Sequence, residues 1–227
     1  MERRGRKYQE MAKKIDKTAV YALADALKLV TETSPTKFDA TVEIHARLGV
    51  DPKQADQNVR ATVVLPHGNG KTVRVAAFVP ADQAKSADIA GEQEILALLD
   101  KEQLDFDILV TTPANMSKLG KYARVLGPKG LMPNPKTGTV SNEPEKAVQE
   151  AKAGKVEYRV DKQAIIHLGI GKVSFGPEKL TENAQVFLSS LAANKPSSLK
   201  GVYIQSISLS STMGPSVKID NGALNML

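Results

Sequence analysis

A chain of 227 residues, 41% hydrophobic and 25% charged, has room for one large domain or two small ones and the ordinary make-up of a soluble globular protein. It holds no cysteine, which excludes disulfides and thiolate metal sites, and no run of about 18 apolar residues, so no membrane span is expected. The net charge of +6 suits a polyanionic partner, but residues 67–159 carry 13 basic and 12 acidic side chains while residues 1–17 carry seven and three, so the excess is mostly an N-terminal arm.

That arm has no apolar run behind its basic residues and does not read as a secretory leader. Between Asp16 and Thr33, the residues Val20, Leu23, Leu27 and Val30 recur at helical spacing, predicting an amphipathic helix stopped by Ser34-Pro35. Phe38, Ala40, Val42, Ile44, Ala46 and Leu48 then alternate with Asp39, Thr41, Glu43, His45 and Arg47, which predicts a half-buried strand with Phe38 on its core face. Val59, Ala61, Val63 and Leu65 predict a second strand in the same style.

At Pro66-His67-Gly68-Asn69-Gly70 the character changes. Val73–Val79 is a nearly continuous apolar run, followed by a helical stretch around Ile95–Leu99, a short buried strand at Ile108–Val110, and a helical segment at Ser117–Val125. Ser141-Asn142-Glu143-Pro144 starts a helix that ends at Gly154, and Lys155–Val160 returns as a strand. Strands alternating with helices predict a small parallel sheet covered on both faces. Beyond Val160 the first style resumes. Ala164–Ile170 reads as a strand, Gly169–Lys172 as a turn, Gly176–Leu191 as a helix, and Val202–Ser211 as a strand whose apolar parity shifts between Ile204 and Ile207, with Val217–Ile219 resuming it.

Neither the elements before residue 66 nor those after 160 suffice to enclose a core. The expected architecture is therefore two domains: a discontinuous α+β sandwich, 1–66 with 160–227, and an inserted Rossmann-like three-layer α/β/α domain, 67–159. The two crossings, one bearing Gly68 and Gly70, would make a hinge.

Gly68-Asn69-Gly70-Lys71-Thr72 invites a phosphate-loop reading, and with it a two-domain enzyme closing on a phosphorylated small molecule. The pattern needs glycine where Leu65 stands and a helix where Val73–Val79 runs on as a strand, so it fails on both counts. His45, His67 and His167 lie far apart in sequence without ligand spacing, so neither a metal nor any other cofactor is expected, and no local nucleophile and base arrangement points to an enzyme. At 4% aromatic residues, base stacking on an aromatic platform is not the expected route to RNA. Two places offer hydroxyls, backbone and small apolar groups instead. These are Thr212-Met213-Gly214-Pro215-Ser216, and Lys37 with Thr41 and Glu43 on the polar face of the first strand. Taken singly, each is more often an ordinary turn or a solvated strand face.

One stretch is more specific than its composition. Leu126-Gly127-Pro128-Lys129-Gly130-Leu131-Met132-Pro133-Asn134-Pro135-Lys136-Thr137-Gly138-Thr139-Val140 can carry neither a regular helix nor a central strand, and so predicts a loop of fixed shape. It resembles the signature of the large-subunit ribosomal protein of the lateral stalk, the L-one family, in its bacterial form. The blocks at Thr36–Glu43, Asp56–Arg60, Leu65–Gly68 and Thr212–Val217 resemble further family blocks in the same order. The segment Lys85–Glu94 is shorter than in familiar bacterial members, which leaves helix boundaries in the inserted domain open.

The resemblance implies a non-enzymatic, cytoplasmic, ribosome-bound protein, monomeric when free. It would bind large-subunit ribosomal RNA to form the mobile stalk next to the exit site for spent transfer RNA, assist release of that transfer RNA, and repress translation by binding its own mRNA leader. Carried over by position, the RNA contacts it implies are Lys37, Phe38, Thr41, Glu43, Gly171, Lys172, Thr212, Met213 and Gly214. Lys129 and Lys136 are secondary candidates for phosphate.

Overall fold

The structure, a computed structural model, describes residues 5–16, 18–101, 104–220 and 222. Residues 1–4 and Lys17 of the expected basic arm lie outside the described residues; from Arg6 onward the arm forms helix α1, Arg6–Ala12.

Helix α2, Leu23–Glu32, starts later than its periodicity predicts and buries Ala26, Leu27 and Val30. Asp16 accounts for the delay: its carboxylate accepts from the amide and hydroxyl of Thr18 at 2.9 and 2.6 Å, a local turn that competes with helix. Val20 is consequently off the helix and 57% exposed, and Tyr21 is tied to the sheet by a bridge to Ile219. Strand β1, Thr41–Leu48, has the expected alternation, with Val42, Ile44, Ala46 and Leu48 buried. Phe38 departs from it. It lies ahead of the strand, where pleat no longer fixes side-chain direction, and is 61% exposed.

After β2, Arg60–Val64, come β3, Val75–Phe78, β4, Ile89–Ala90, α3, Glu92–Asp100, β5, Ile108–Thr111, α4, Met116–Leu119, α5, Ala123–Leu126, and α6, Pro144–Lys152. The chain closes with β6, Lys155–Arg159, β7, Ile165–Lys172, α7, Gly176–Ala193, β8, Ile204–Ser211, and β9, Ser216–Ile219. It forms two compact units, residues 1–70 with 157–227, and residues 71–156.

In the discontinuous unit an antiparallel sheet of order β7-β1-β8-β9 is covered on one side by α2 and α7, which pack on each other and on the strands. Amphipathic helices against one apolar sheet face leave the other face polar: Glu43, His45 and Arg47 of β1, His167 of β7, Ser206, Ser208 and Ser210 of β8, and Lys218 of β9 all retain exposure. Gly169–Lys172 is not a turn but the end of β7, paired to Thr41–Glu43 through a register irregularity at Val42/Glu43. The glycines that suggest a turn answer packing instead. A Cβ on Gly171 would sit 2.8 Å from Leu180 Cδ2 and 2.9 Å from Phe175 Cδ2. The parity shift in β8 corresponds to a second irregularity, where Arg47 faces Ser206 and Leu48 faces Ile204, with Gln205 as the extra residue.

Strands β2 and β6 belong to neither large sheet and form a two-stranded sheet together. The expectation that Lys155–Val160 joins the parallel sheet is thereby corrected. Charged Lys155, Glu157 and Arg159 alternate with Val156 and Tyr158, whereas a strand covered on both faces needs a continuous apolar run. Buried Tyr158 meets Ser190 of α7 at 2.9 Å, and Arg60 bonds Glu157 at 2.5 Å.

The unit of residues 71–156 has a parallel sheet of order β4-β3-β5. All four residues of β3 are buried, as their unbroken apolar run predicts. Val75 and Ala77 face a core with Val110 and α6 residues Ala147, Val148 and Ala151. Ala76 and Phe78 face another with Ile95, Leu99, Phe106, Leu109, Leu119 and Leu126. The Pro/Gly stretch seals that second core with Leu131 and Met132. Its far half is locked by Thr137 donating to Asn134 O at 2.9 Å and by the Asn134 amide donating to Thr139 Oγ1 at 2.8 Å.

Candidate nucleic-acid interface

Two segments far apart in sequence meet at one end of the four-stranded sheet. The Thr212 hydroxyl accepts from the Thr41 amide at 3.1 Å and donates to the Thr41 carbonyl at 3.2 Å, while the Thr212 amide donates to that same carbonyl at 2.9 Å. Lys172 Nζ donates to Thr41 Oγ1 at 3.0 Å and reaches the Asp39 carbonyl at 3.5 Å. Three of the nine expected contact residues, Thr41, Lys172 and Thr212, are thus bonded into one knot. Thr212 spends its only proton inside the protein, so its hydroxyl can offer an outside ligand an acceptor lone pair but no free donor.

Beyond the knot the chain turns from β8 into β9. The Gly214 amide closes the turn on Ser211 O at 2.8 Å, and Met213 is held in the left-handed region at φ 64° with 76% of its surface exposed. Non-glycine residues rarely adopt this conformation, and when they do they cluster at ligand sites. A Cβ on Gly214 would lie 2.2 Å from Ser211 Oγ and 3.2 Å from the Ser211 carbonyl oxygen, so a larger residue would have to displace that hydroxyl. Ser211 Oγ is buried and has no hydrogen-bond partner among the described residues.

On the β1 side, Lys37 and Phe38 are both exposed, in a loop pinned by Asp39. The Ser174 amide and hydroxyl donate to the two Asp39 carboxylate oxygens at 3.0 and 2.7 Å, and these bonds hold the carboxyl below its ordinary pKa. Glu43 is partly exposed on the open face, opposite Gly169 and Ser210. Gly171 alone among the nine is buried, so it shapes β7 from inside and presents no surface.

Next to Glu43 the histidines that sequence separates by 122 positions are directly opposed across β1 and β7, their Nδ1 atoms 2.8 Å apart. His45 Nε2 meets Ser210 Oγ at 3.0 Å, and burial, then the charge of His167, push the His45 pKa down. No local spacing marks this pair, whereas the strict alternation of Ser206, Ser208 and Ser210 with Ile207 and Leu209 marks them as one face of a strand. Asn183 likewise stands outside any local pattern. This buried side chain on α7 accepts from the His67 amide at 3.1 Å and donates to Gly68 O and Ile170 O at 2.9 and 2.7 Å. Gly68 and Gly70, the expected hinge glycines, have φ of 64° and 73°.

Hydroxyls, lysines, a turn held at positive φ and two exposed apolar side chains are groups of the class that binding proteins present to extended polar ligands. Known proteins give this class a family. The model of the ribosomal protein L1p/L10e family matches residues 30–215. Two strains of Lactobacillus delbrueckii subsp. bulgaricus each have a large ribosomal subunit protein uL1 to which the chain is 53% identical over 229 residues, with 99% of either chain covered. The chain belongs to the ribosomal protein L1p/L10e family, whose members are structural proteins and not enzymes.

Proposed function

We propose that this protein is a cytoplasmic, ribosome-bound constituent of the large ribosomal subunit, and that its discontinuous unit binds large-subunit ribosomal RNA through Lys37, Phe38, Thr41, Glu43, Lys172, Thr212, Met213 and Gly214. In this reading the bound RNA and the protein form the mobile lateral stalk beside the exit site, which assists release of deacylated transfer RNA. The same surface binds a similar fold in the protein's own mRNA leader and represses its translation. Family membership supports the ribosomal role, and so do the relatives named as large-subunit proteins.

The observation that carries the site is the Thr41–Lys172–Thr212 knot with Met213 held outward beside it. A preorganised rim of this kind suits shape readout of RNA. Riboses in a shallow groove present 2′-hydroxyls, Glu43 and the free lone pair of Thr212 can accept from them, and Lys37 and Lys172 neutralise neighbouring phosphates. Phe38 and Met213 supply apolar contact to sugar and base edges. Glu43 acts as a hydrogen-bond acceptor, since a carboxylate beside a polyanion gains nothing from charge. Gly171 is left out of the contact set because it is buried.

The test is nuclease protection of large-subunit ribosomal RNA by the purified full chain, with the mRNA leader as a second substrate. One discrete protected segment, competed by the leader, is expected. Diffuse protection that a random RNA competes equally well would refute the assignment.

A further inference from the structure

The unit of residues 71–156 is nearly neutral as a whole, with 12 basic and 11 acidic residues, but its charge is sorted. Residues 112–140 contain five basic residues, Lys118, Lys121, Arg124, Lys129 and Lys136, and no acidic one, so the remainder of the unit holds seven basic against 11 acidic. Packing makes this a surface property. Leu119 and Leu126 are buried against β3 and β5, while Lys118, Lys121 and Arg124, each three residues from the next, are exposed. Lys118 is in α4, Lys121 in the 3-10 turn Gly120–Tyr122 and Arg124 in α5, so at about 1.5 to 2.0 Å per residue these cations span roughly 9 to 12 Å.

The Pro/Gly stretch adds a further cation. The Gly130 amide bonds Gly127 O and the Leu131 amide bonds Leu126 O, both at 3.0 Å, which folds the loop back at the end of α5 with exposed Lys129 at its tip. Gly130, at φ 73°, makes that reversal. Lys118 is engaged by Glu92 at 2.6 Å, but Lys121, Arg124 and Lys129 pair with no carboxylate among the described residues. A solvated face of ordinary composition would mix both signs.

We propose that Lys121, Arg124 and Lys129 form a second RNA surface, independent of the one on the discontinuous unit, that grips the phosphate backbone of a structured RNA without reading its sequence. Lysine and arginine without aromatic partners hold phosphates rather than bases, and the chain's ribosomal family makes RNA the polyanion at hand. The Pro/Gly stretch then has a task that reaches beyond its own unit's core: it fixes Lys129 in the turn that follows α5.

Full-length protein, saturated with the ribosomal RNA segment it protects from nuclease, is titrated with labelled mixed transfer RNA at several salt concentrations. Replacing all three cations (K121Q, R124Q, K129Q) should weaken transfer RNA binding roughly 100-fold at 0.1 M salt and lower the slope of log K against log salt by about 2 to 3, one released counterion being worth about 0.7 to 0.9. Melting temperature and affinity for the protected segment should not change. Met213→Gly should do the reverse, sparing transfer RNA and weakening the protected segment. Wild-type affinity and slope in the triple variant overturn the proposal, as does equal loss of transfer RNA binding in Met213→Gly. If the wild-type protein protects no ribosomal RNA segment, the reading of the discontinuous unit fails, and titration of the free protein with transfer RNA still decides this one.

Discussion

Met213→Gly separates stability from binding. A left-handed conformation costs a non-glycine residue about 1 to 2 kcal/mol, which glycine relieves. Against that, glycine adds about 0.4 to 1 kcal/mol of unfolded-state entropy. Met213 is 76% exposed, so removing its side chain forfeits little internal packing, roughly 0.5 kcal/mol of a full methionine burial. The fold should therefore be as stable as wild type, to within about 1 kcal/mol. In the proposed complex the same exposed side chain becomes buried against RNA, and its loss should cost about 1 to 2 kcal/mol, or roughly 5- to 30-fold in Kd. Urea denaturation and filter binding to the protected RNA segment measure the two quantities on one preparation. Unchanged stability with affinity within twofold of wild type would refute the role given to the turn. Lost stability together with lost affinity would mean that Met213 matters through folding and not through contact.

Two further substitutions probe the frame behind the interface. Asn183→Ala leaves the His67 amide and the carbonyls of Gly68 and Ile170 without their partner, and should destabilise the discontinuous unit by roughly 2 to 4 kcal/mol, seen as a lower urea midpoint; a loss under about 0.5 kcal/mol would show that water replaces it freely. His45→Gln bears on pH. Burial and His167 keep the folded-state pKa of His45 below its ordinary 6.5, so as pH falls through that value the unfolded chain takes up a proton that the folded one resists. Wild-type stability contributed at this site should be complete above that value and decline from pH 6.5 downward, and the glutamine variant should lack that decline. Parallel stability profiles between pH 7.5 and 5 would remove His45 from the account.

What the sequence makes legible follows from how local the determining forces are. Alternation in β1 and the unbroken apolar run of β3 are statements about burial, and burial decides both strands. Periodicity fails where a short polar bond outbids it: Asp16 captures Thr18 and delays α2, and the loss of pleat ahead of Thr41 frees Phe38 to face outward. Glycine misleads at Gly169–Lys172 because turn chemistry and close packing ask for the same residue, and only the neighbours Leu180 and Phe175 tell them apart. Of the candidate interface, the residue types are visible in sequence, but the knot that joins them is not. Its bonds run between Thr41, Lys172 and Thr212, and no local pattern encodes a pairing at such separations. The His45–His167 pair is hidden for the same reason.

The same separation bears on when the interface comes into being. Thr41 and Thr212 are 171 residues apart, and β1, the strand that carries Thr41, gains both of its neighbours, β7 and β8, only after the whole of residues 71–156 has been made. That intervening unit is continuous in sequence, and its parallel strands β3, β4 and β5 find their partners within it, so it can close as soon as it is synthesised. The discontinuous unit cannot. Until β8 is complete there is no Ser211–Gly214 turn, no acceptor for the Thr41 amide, and no sheet rim on which Lys172 and Met213 are fixed. A chain arranged in this order cannot present the candidate interface before β8 and the turn that follows it have been made.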